Sequence, residues 1–160
     1  MGAVNVEDVI ALVAGERAIV ATGISPVGVS FRENSCTGYL DQFQGFSPAM
    51  SRNCPSPEDI LPLTEENLRA YGEGCFDYIR ELPACTTPLS PPSYISGQCA
   101  AYLQNNLSYN GCMNMNRWRP SFAGDTWRIF LNARGELWGN SHDVIRLLDS
   151  EARTVDVISY

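Results

Sequence analysis

The chain has 160 residues, 44% hydrophobic and 18% charged, which fits one folded domain, or one domain carrying a large insertion, and excludes a disordered chain. Its formal net charge is −7, Lys is absent and Arg supplies the positive charge, so a phosphate backbone is repelled and nucleic-acid binding is disfavoured. Residues 1–90 hold 12 acidic and 5 basic side chains and residues 91–160 hold 6 of each, so an anion-binding Arg group can be sought only in the second half, at Arg117, Arg119 and Arg128. The simpler expectation for these three is a solvated strand face.

Residues 8–13 suggest a short strand, residues 14–16 a turn, and residues 17–22 (RAIVAT) a second strand rich in β-branched and apolar side chains. Residues 23–29 form a loop or edge, because Pro26 cannot donate to a ladder, and residues 30–34 resume an extended path. From Cys36 to Pro62 the density of Gly and Pro excludes long regular elements. Tyr39, Phe43 and Phe46 still allow a helical turn or two over residues 37–44, as a small aromatic core or a stacking surface.

The best helix runs from Pro62 to Leu82. Thr64 is its N-cap, Glu65 and Glu66 complement the dipole in its first turn, and Leu68, Tyr71, Cys75, Tyr78, Ile79 and Leu82 form one stripe. Gly72 and Gly74 weaken its middle by about 1 kcal/mol each. Pro83 ends it, Pro88, Pro91 and Pro92 stiffen a connector, and a second helix spans residues 96–106. Asn110-Gly111 signals a turn. Residues 117–124 form a linker to a strand over residues 126–131, with Trp127, Ile129 and Leu131 on one face and Arg128 and Phe130 on the other. Residues 133–135 turn, Leu137-Trp138 make a short strand, residues 139–141 turn again, and residues 143–149 and 154–160 form an antiparallel hairpin.

Six cysteines at positions 36, 54, 75, 85, 99 and 112 form an even set with no CxxC pair and a single His elsewhere. Zinc sites use close ligand pairs, so no metal is expected, and no cofactor motif is present. The cysteines Cys36, Cys54, Cys75, Cys85, Cys99 and Cys112 occupy a window where a core is hard to build without staples. Disulfides and an oxidising compartment are therefore expected rather than buried free thiols. A nested scheme pairs Cys75 with Cys112 and Cys85 with Cys99, with Cys36–Cys54 closing the preceding loop; a sequential scheme pairs Cys75 with Cys85 and Cys99 with Cys112. Spacing does not choose between them. No secretory signal or membrane span is visible, so a signal or anchor is expected upstream.

The tail resembles the lamin-tail domain family in its bacterial form. The resemblance rests on Glu136-Leu137-Trp138-Gly139-Asn140, on Asp143-Val144-Ile145-Arg146-Leu147-Leu148-Asp149, on Val155-Asp156 and on Ser159-Tyr160. Leu12-Val13-Ala14-Gly15-Glu16-Arg17-Ala18-Ile19-Val20 is similar to the family's L-x-P-G-E segment, with Ala14 in place of Pro. The resemblance implies an α+β chain: an immunoglobulin-like β-sandwich built from residues 1–35 and 113–160, with a disulfide-stapled, partly helical insertion over residues 36–112. It also implies a non-catalytic exported module for cell-surface attachment, assembly or protein recognition, in the extracellular space, the periplasm or at the cell surface, with a protein or cell-envelope component as partner. Two departures matter. Ala152 stands where the family has a turn Gly, so that turn is strained or of another type. The family's opening strands are hardly visible before Val9, so the sandwich is expected to be incomplete, with a free sheet edge that invites pairing with a second copy.

Chemistry has few footholds. His142-Asp143 is the one His beside an acid, but neighbours on a strand point to opposite faces. No GxSxG elbow, HExxH, phosphate loop or calcium loop occurs, so no catalytic residue is assigned. The alternative is a carbohydrate-active or other hydrolase using Glu58, Asp59, Glu65 and Glu66, although helix starts account for these acids more simply. A nucleic-acid accessory domain would need a continuous Arg face. Tyr39, Tyr94, Tyr109, Trp118 and Trp138 lie in or near loops and are the candidate binding surface, against the plainer role of plugs between the insertion and the sandwich.

Overall fold

An apolar run and a mostly polar one near the start of the chain become the outer strands of a sheet whose centre comes from the tail. The computed structural model describes residues 10–160. Strand β1 is Arg17–Ala21, β2 is Phe31–Asn34 and β3 is Ala123–Phe130, in the order β1-β3-β2. β1 runs parallel to β3, from Arg17 opposite Thr126 to Ala21 opposite Phe130. β2 runs antiparallel to β3, with Phe31 opposite Arg128 and an irregularity between Arg32 and Asn34. The expected alternation on β3 is present: Thr126 and Arg128 are buried, while Trp127 and Ile129 are half-buried on the other face.

Between β2 and β3 lie a 3-10 helix, Thr37–Gln42, and five α-helices: α1 Pro57–Ile60, α2 Glu65–Tyr71, α3 Glu73–Glu81, α4 Gly97–Asn106 and α5 Tyr109–Asn116. Strands β4, Val144–Leu148, and β5, Thr154–Ser159, then form a separate two-stranded sheet. The chain is thus a mixed α and β fold with small sheets. Part of the expected strand over residues 8–13 lies outside the described residues, and the part inside, residues 10–13, is irregular. Leu137-Trp138 form a bend rather than a strand.

The helical region departs from expectation in three places, each for a local reason. The helix expected from Pro62 to Leu82 is two helices. Gly72 adopts φ +82° and serves both as the C-cap of α2 and the N-cap of α3, a backbone state open to Gly at little cost. Helix α1 was not expected from so Pro-rich a stretch. It is closed by a capping box, with Ser56 Oγ accepting from Glu58 N–H and Asp59 accepting from Ser56 N–H, and Pro57 occupies the first turn. Asn110-Gly111 lies inside α5 instead of a turn. Ser108 caps that helix through Gly111 N–H at 3.1 Å, and a side chain at position 111 would run into the backbone of Asn105 and Asn106, so Gly is here for close approach.

The buried hydrophobic side chains lie between Phe31 and Cys112, with Tyr39, Ile79, Leu103 and Leu107 at the centre. On α3 the buried set is Cys75, Phe76 and Ile79, while Leu68 of α2, expected on the same stripe, is turned outward. Three disulfides staple this core: Cys36–Cys112, Cys54–Cys85 and Cys75–Cys99, with no cysteine free. Neither the nested nor the sequential scheme is correct. Both took the two helical arms as a self-contained pair. In fact the 3-10 helix packs against α5, which brings the start of the region to its end, and Cys36 meets Cys112 at a Cα separation of 5.7 Å.

Arg128 joins the sheet to the helical region. Its side chain is buried. Its Nε donates to Glu33 at 2.5 Å, and its terminal nitrogens donate to the carbonyls of Pro48 and Ala49 at 2.5 and 3.0 Å. Its guanidinium carbon lies 5.8 Å from the Phe46 ring centre. Arg128 is therefore on neither a solvated strand face nor an anion-binding patch. The expected Arg group does not form: Arg117 lies 5.0 Å from the ring centre of the exposed Trp118, and Arg119 faces solvent.

In the β4–β5 hairpin, Val144 faces Ser159 and Arg146 faces Val157, and the register slips between Leu147 and Leu148. All six residues of β5 are exposed, and of β4 only Ile145 is half-buried. The turn is built on Asp149, whose Oδ1 accepts from the backbone N–H groups of Glu151 and Arg153, both at 2.9 Å. Ala152 takes φ +61°, the left-handed state expected to strain a residue with a Cβ.

Candidate functional site

Past β3 the chain crosses the end of β1, with Leu131 N–H donating to Ala21 O at 2.9 Å and Ala133 N–H to Thr22 O at 2.8 Å. This places residues 136–142 beside Thr22 and beside Tyr160, where two shallow clefts share Tyr160 as a wall. One, of about 290 Å³, is lined by Thr22, residues 136–140 and Tyr160. The other, of about 450 Å³, is lined by His142, Asp143, Val144, Ser159 and Tyr160.

The walls are held by hydrogen bonds from the residues of the tail motif. Asp143 accepts from Gly139 N–H at 2.7 Å and from Val144 N–H at 2.8 Å. The bond from Gly139, then that from Val144, holds its carboxyl below the ordinary carboxylate range. Tyr160 donates its hydroxyl to Gly139 O at 3.0 Å, and its backbone exchanges bonds with Asp143 at 3.0 and 3.3 Å. His142 lines the larger cleft, with φ +60°. His142 and Asp143 do not bond to each other; the carboxylate is occupied by backbone donors.

The five candidate aromatic residues do not make one surface. Tyr39 is 1% exposed and belongs to the core, where burial pushes its hydroxyl up to about 12. It is no surface residue, because the 3-10 helix that packs against α5 turns it inward. Tyr109 opens α5 and is half-buried against the core. Tyr94 is exposed and lies over Gly74 of α3, and Trp118 is 82% exposed after α5. Trp138 is half-buried and lines the smaller tail cleft. The companion that sequence reasoning missed is Tyr160; its place in the tail motif marked it, but only the hairpin's closure brings it to Trp138.

The acids named for a hydrolase are dispersed at helix starts. Glu58 and Asp59 belong to the α1 box, and Glu65 and Glu66 to the exposed first turn of α2, where Glu65 pairs with Arg69 at 3.4 Å. The groove beside Glu58 is otherwise lined by Leu61, Phe76, Ile79 and Arg80 among others and holds no second carboxylate among the described residues. A polar cleft of about 270 Å³ does hold two, Glu33 and Asp125. Glu33 is bound to Arg128. Asp125 is kept below the ordinary carboxylate range by the Thr126 hydroxyl first and by Arg17 and Arg32 further off, the opposite of what a general acid needs. Among the described residues no three His, Cys, Asp or Glu side chains gather as a metal-holding group, and no helix is long and apolar enough to cross a membrane. No protein-family model, curated protein or solved structure matches the chain.

Proposed function

We propose that the chain is a non-catalytic exported module of the lamin-tail kind, acting in cell-surface attachment, assembly or protein recognition. In this reading the β1-β3-β2 sheet and the β4–β5 hairpin belong to the two halves of an incomplete immunoglobulin-like sandwich, and residues 36–112 are its stapled insertion. The three disulfides and the absence of a spanning helix among the described residues are compatible with an extracellular, periplasmic or cell-surface location.

The observation that carries the reading is the hairpin. Leu147, Val155, Val157 and Ile158 are each more than half exposed, and a two-stranded ribbon is marginal by itself in water. Such a surface is suited to being covered. The occupant we propose is a second copy, paired along a free edge of the hairpin, since among the described residues β4 and β5 each have a strand neighbour on one side only. Light scattering over a concentration series tests this. The expected result is a dimer at high concentration that Val157→Lys returns to monomer, and a clean monomer throughout would remove the edge-to-edge assembly.

A further inference from the structure

We propose that the two clefts sharing Tyr160 form one extended site for a neutral oligosaccharide of two or more units, which gives a ligand class to the recognition module proposed above and rests on that reading. The lining combines aromatic rings, Trp138 and Tyr160, with polar side chains of both hydrogen-bonding senses, Glu136, Asn140 and His142. Sugars present that same combination: flat C–H faces for a ring and hydroxyls for planar polar groups. The cavities, about 290 and 450 Å³, stand at the lower end of the range for small-molecule sites, roughly 300–1,000 Å³, and sharing one wall they suit consecutive units better than one large ligand.

Charge and backbone accounting narrow the class. No Arg lines either cleft, and Glu136 and Asp143 do, so an anionic ligand is disfavoured. The main-chain groups that Asp143 and Tyr160 exchange with each other, and the Gly139 N–H and O taken by Asp143 and Tyr160, are closed to a peptide adding as a strand at those three residues. A ligand there meets ring faces and side-chain polar atoms, the groups a sugar uses. The same bonds fix the walls in advance, which limits the ordering cost of binding.

The test is titration calorimetry of the whole chain against soluble neutral tetrasaccharides (β-1,4-glucan, chitin and α-1,4-glucan) and against an unbiased peptide pool. The expected result is saturable binding of at least one tetrasaccharide, weakened about tenfold by Trp138→Ala and less by Asn140→Ala, with circular dichroism unchanged in both variants. Asn140 is an exposed loop residue, so its variant keeps the test valid if Trp138→Ala loosens the loop. No binding of any tetrasaccharide, binding indifferent to both substitutions, or peptide binding alone would each overturn the proposal. Release of reducing ends during the titration would instead overturn the non-catalytic reading while leaving the sugar site standing.

Discussion

The stapled helical region and the tail hairpin solve the same problem in opposite ways. Residues 36–112 bury Tyr39, Ile79, Leu103 and Leu107 and lock the arrangement with three disulfides. The hairpin has the more apolar strands by sequence, yet both its faces meet solvent, and what holds it is the ladder plus a few carboxylate-to-backbone bonds. Hydrophobic content therefore does not show where a core is. Closure does, and here closure comes from chain crossings that only the cysteines fix. The first region is closed by its own side chains and disulfides, and the second leaves its apolar side chains in solvent.

The largest expected break of this contrast is loss of the Cys36–Cys112 bridge, which spans 76 positions. Releasing a loop of that length with Cys36→Ala/Cys112→Ala costs about 4 kcal/mol by the chain-entropy model. Denaturant titration followed by circular dichroism should show the helical region unfolding at much lower denaturant. Hydrogen exchange in the hairpin under native conditions should change far less, and equal losses in both regions would show that they fold as one unit.

The next effect tests whether the sheet belongs energetically with the helices. Arg128→Ala leaves Glu33 half-buried without its cation and the Pro48 and Ala49 carbonyls without a donor. Breaking such a pair costs about 3 kcal/mol. Arg128→Met keeps much of the volume over Phe46 and isolates the charge effect. A loss under about 0.5 kcal/mol, the level of an ordinary surface substitution, would show that Arg128 is not the strut between the two layers.

How much of this was legible in the sequence follows from which interactions are local. β1, β3, α4 and the hairpin were readable because alternation, helical spacing and caps such as Ser96 act within a few residues. The break at Gly72 was half legible: the glycine was seen as weakening the helix, but a left-handed cap there depends on where α3 must point to bury Ile79. Asn110-Gly111 misled because the same dipeptide that favours a turn is placed here by the close approach of Asn105 and Asn106. The disulfide pairing and the burial of Arg128 are contacts across 76 and about 80 positions, and no local pattern encodes them. At the candidate site Trp138 was legible as a loop aromatic, whereas its pairing with Tyr160 depends on the hairpin register.

A smaller change sharpens the hairpin side. Ala152 is held at φ +61°, a state that costs an L residue roughly 1–2 kcal/mol and Gly almost nothing. Ala152→Gly should therefore stabilise the turn by about 1 kcal/mol once the greater freedom of Gly in the unfolded chain is subtracted. Slower exchange of the β4 and β5 amides, with the thermal midpoint of the helical region unmoved, is the expected pattern. Faster exchange would mean that the turn is not strained.

pH separates the two regions at opposite ends of the scale. Asp149 is depressed first by the backbone N–H of Arg153 and then by its guanidinium, and Asp143 by the N–H groups of Gly139 and Val144. A depressed folded value means that each contributes stability fully above the ordinary carboxylate range and loses it as pH falls through the folded value. Acid should thus loosen the hairpin turn and the cleft walls first, seen as faster exchange at Gly139, Val144 and Arg153 while the disulfide core is unmoved. Tyr39 has the opposite sense. Burial raises it from 10.0 to about 12, so its contribution is complete below pH 10 and is lost as pH rises through about 12. Tyrosinate absorbance on a rapid alkaline titration should show Tyr39 among the late-titrating members of the seven tyrosines, with Tyr78 and Tyr102 also raised by burial, and its component absent in Tyr39→Phe. If Tyr39 instead ionised with the exposed tyrosines, the 3-10 helix would be opening in solution, and the contrast between a closed core and an open hairpin would lose its first half.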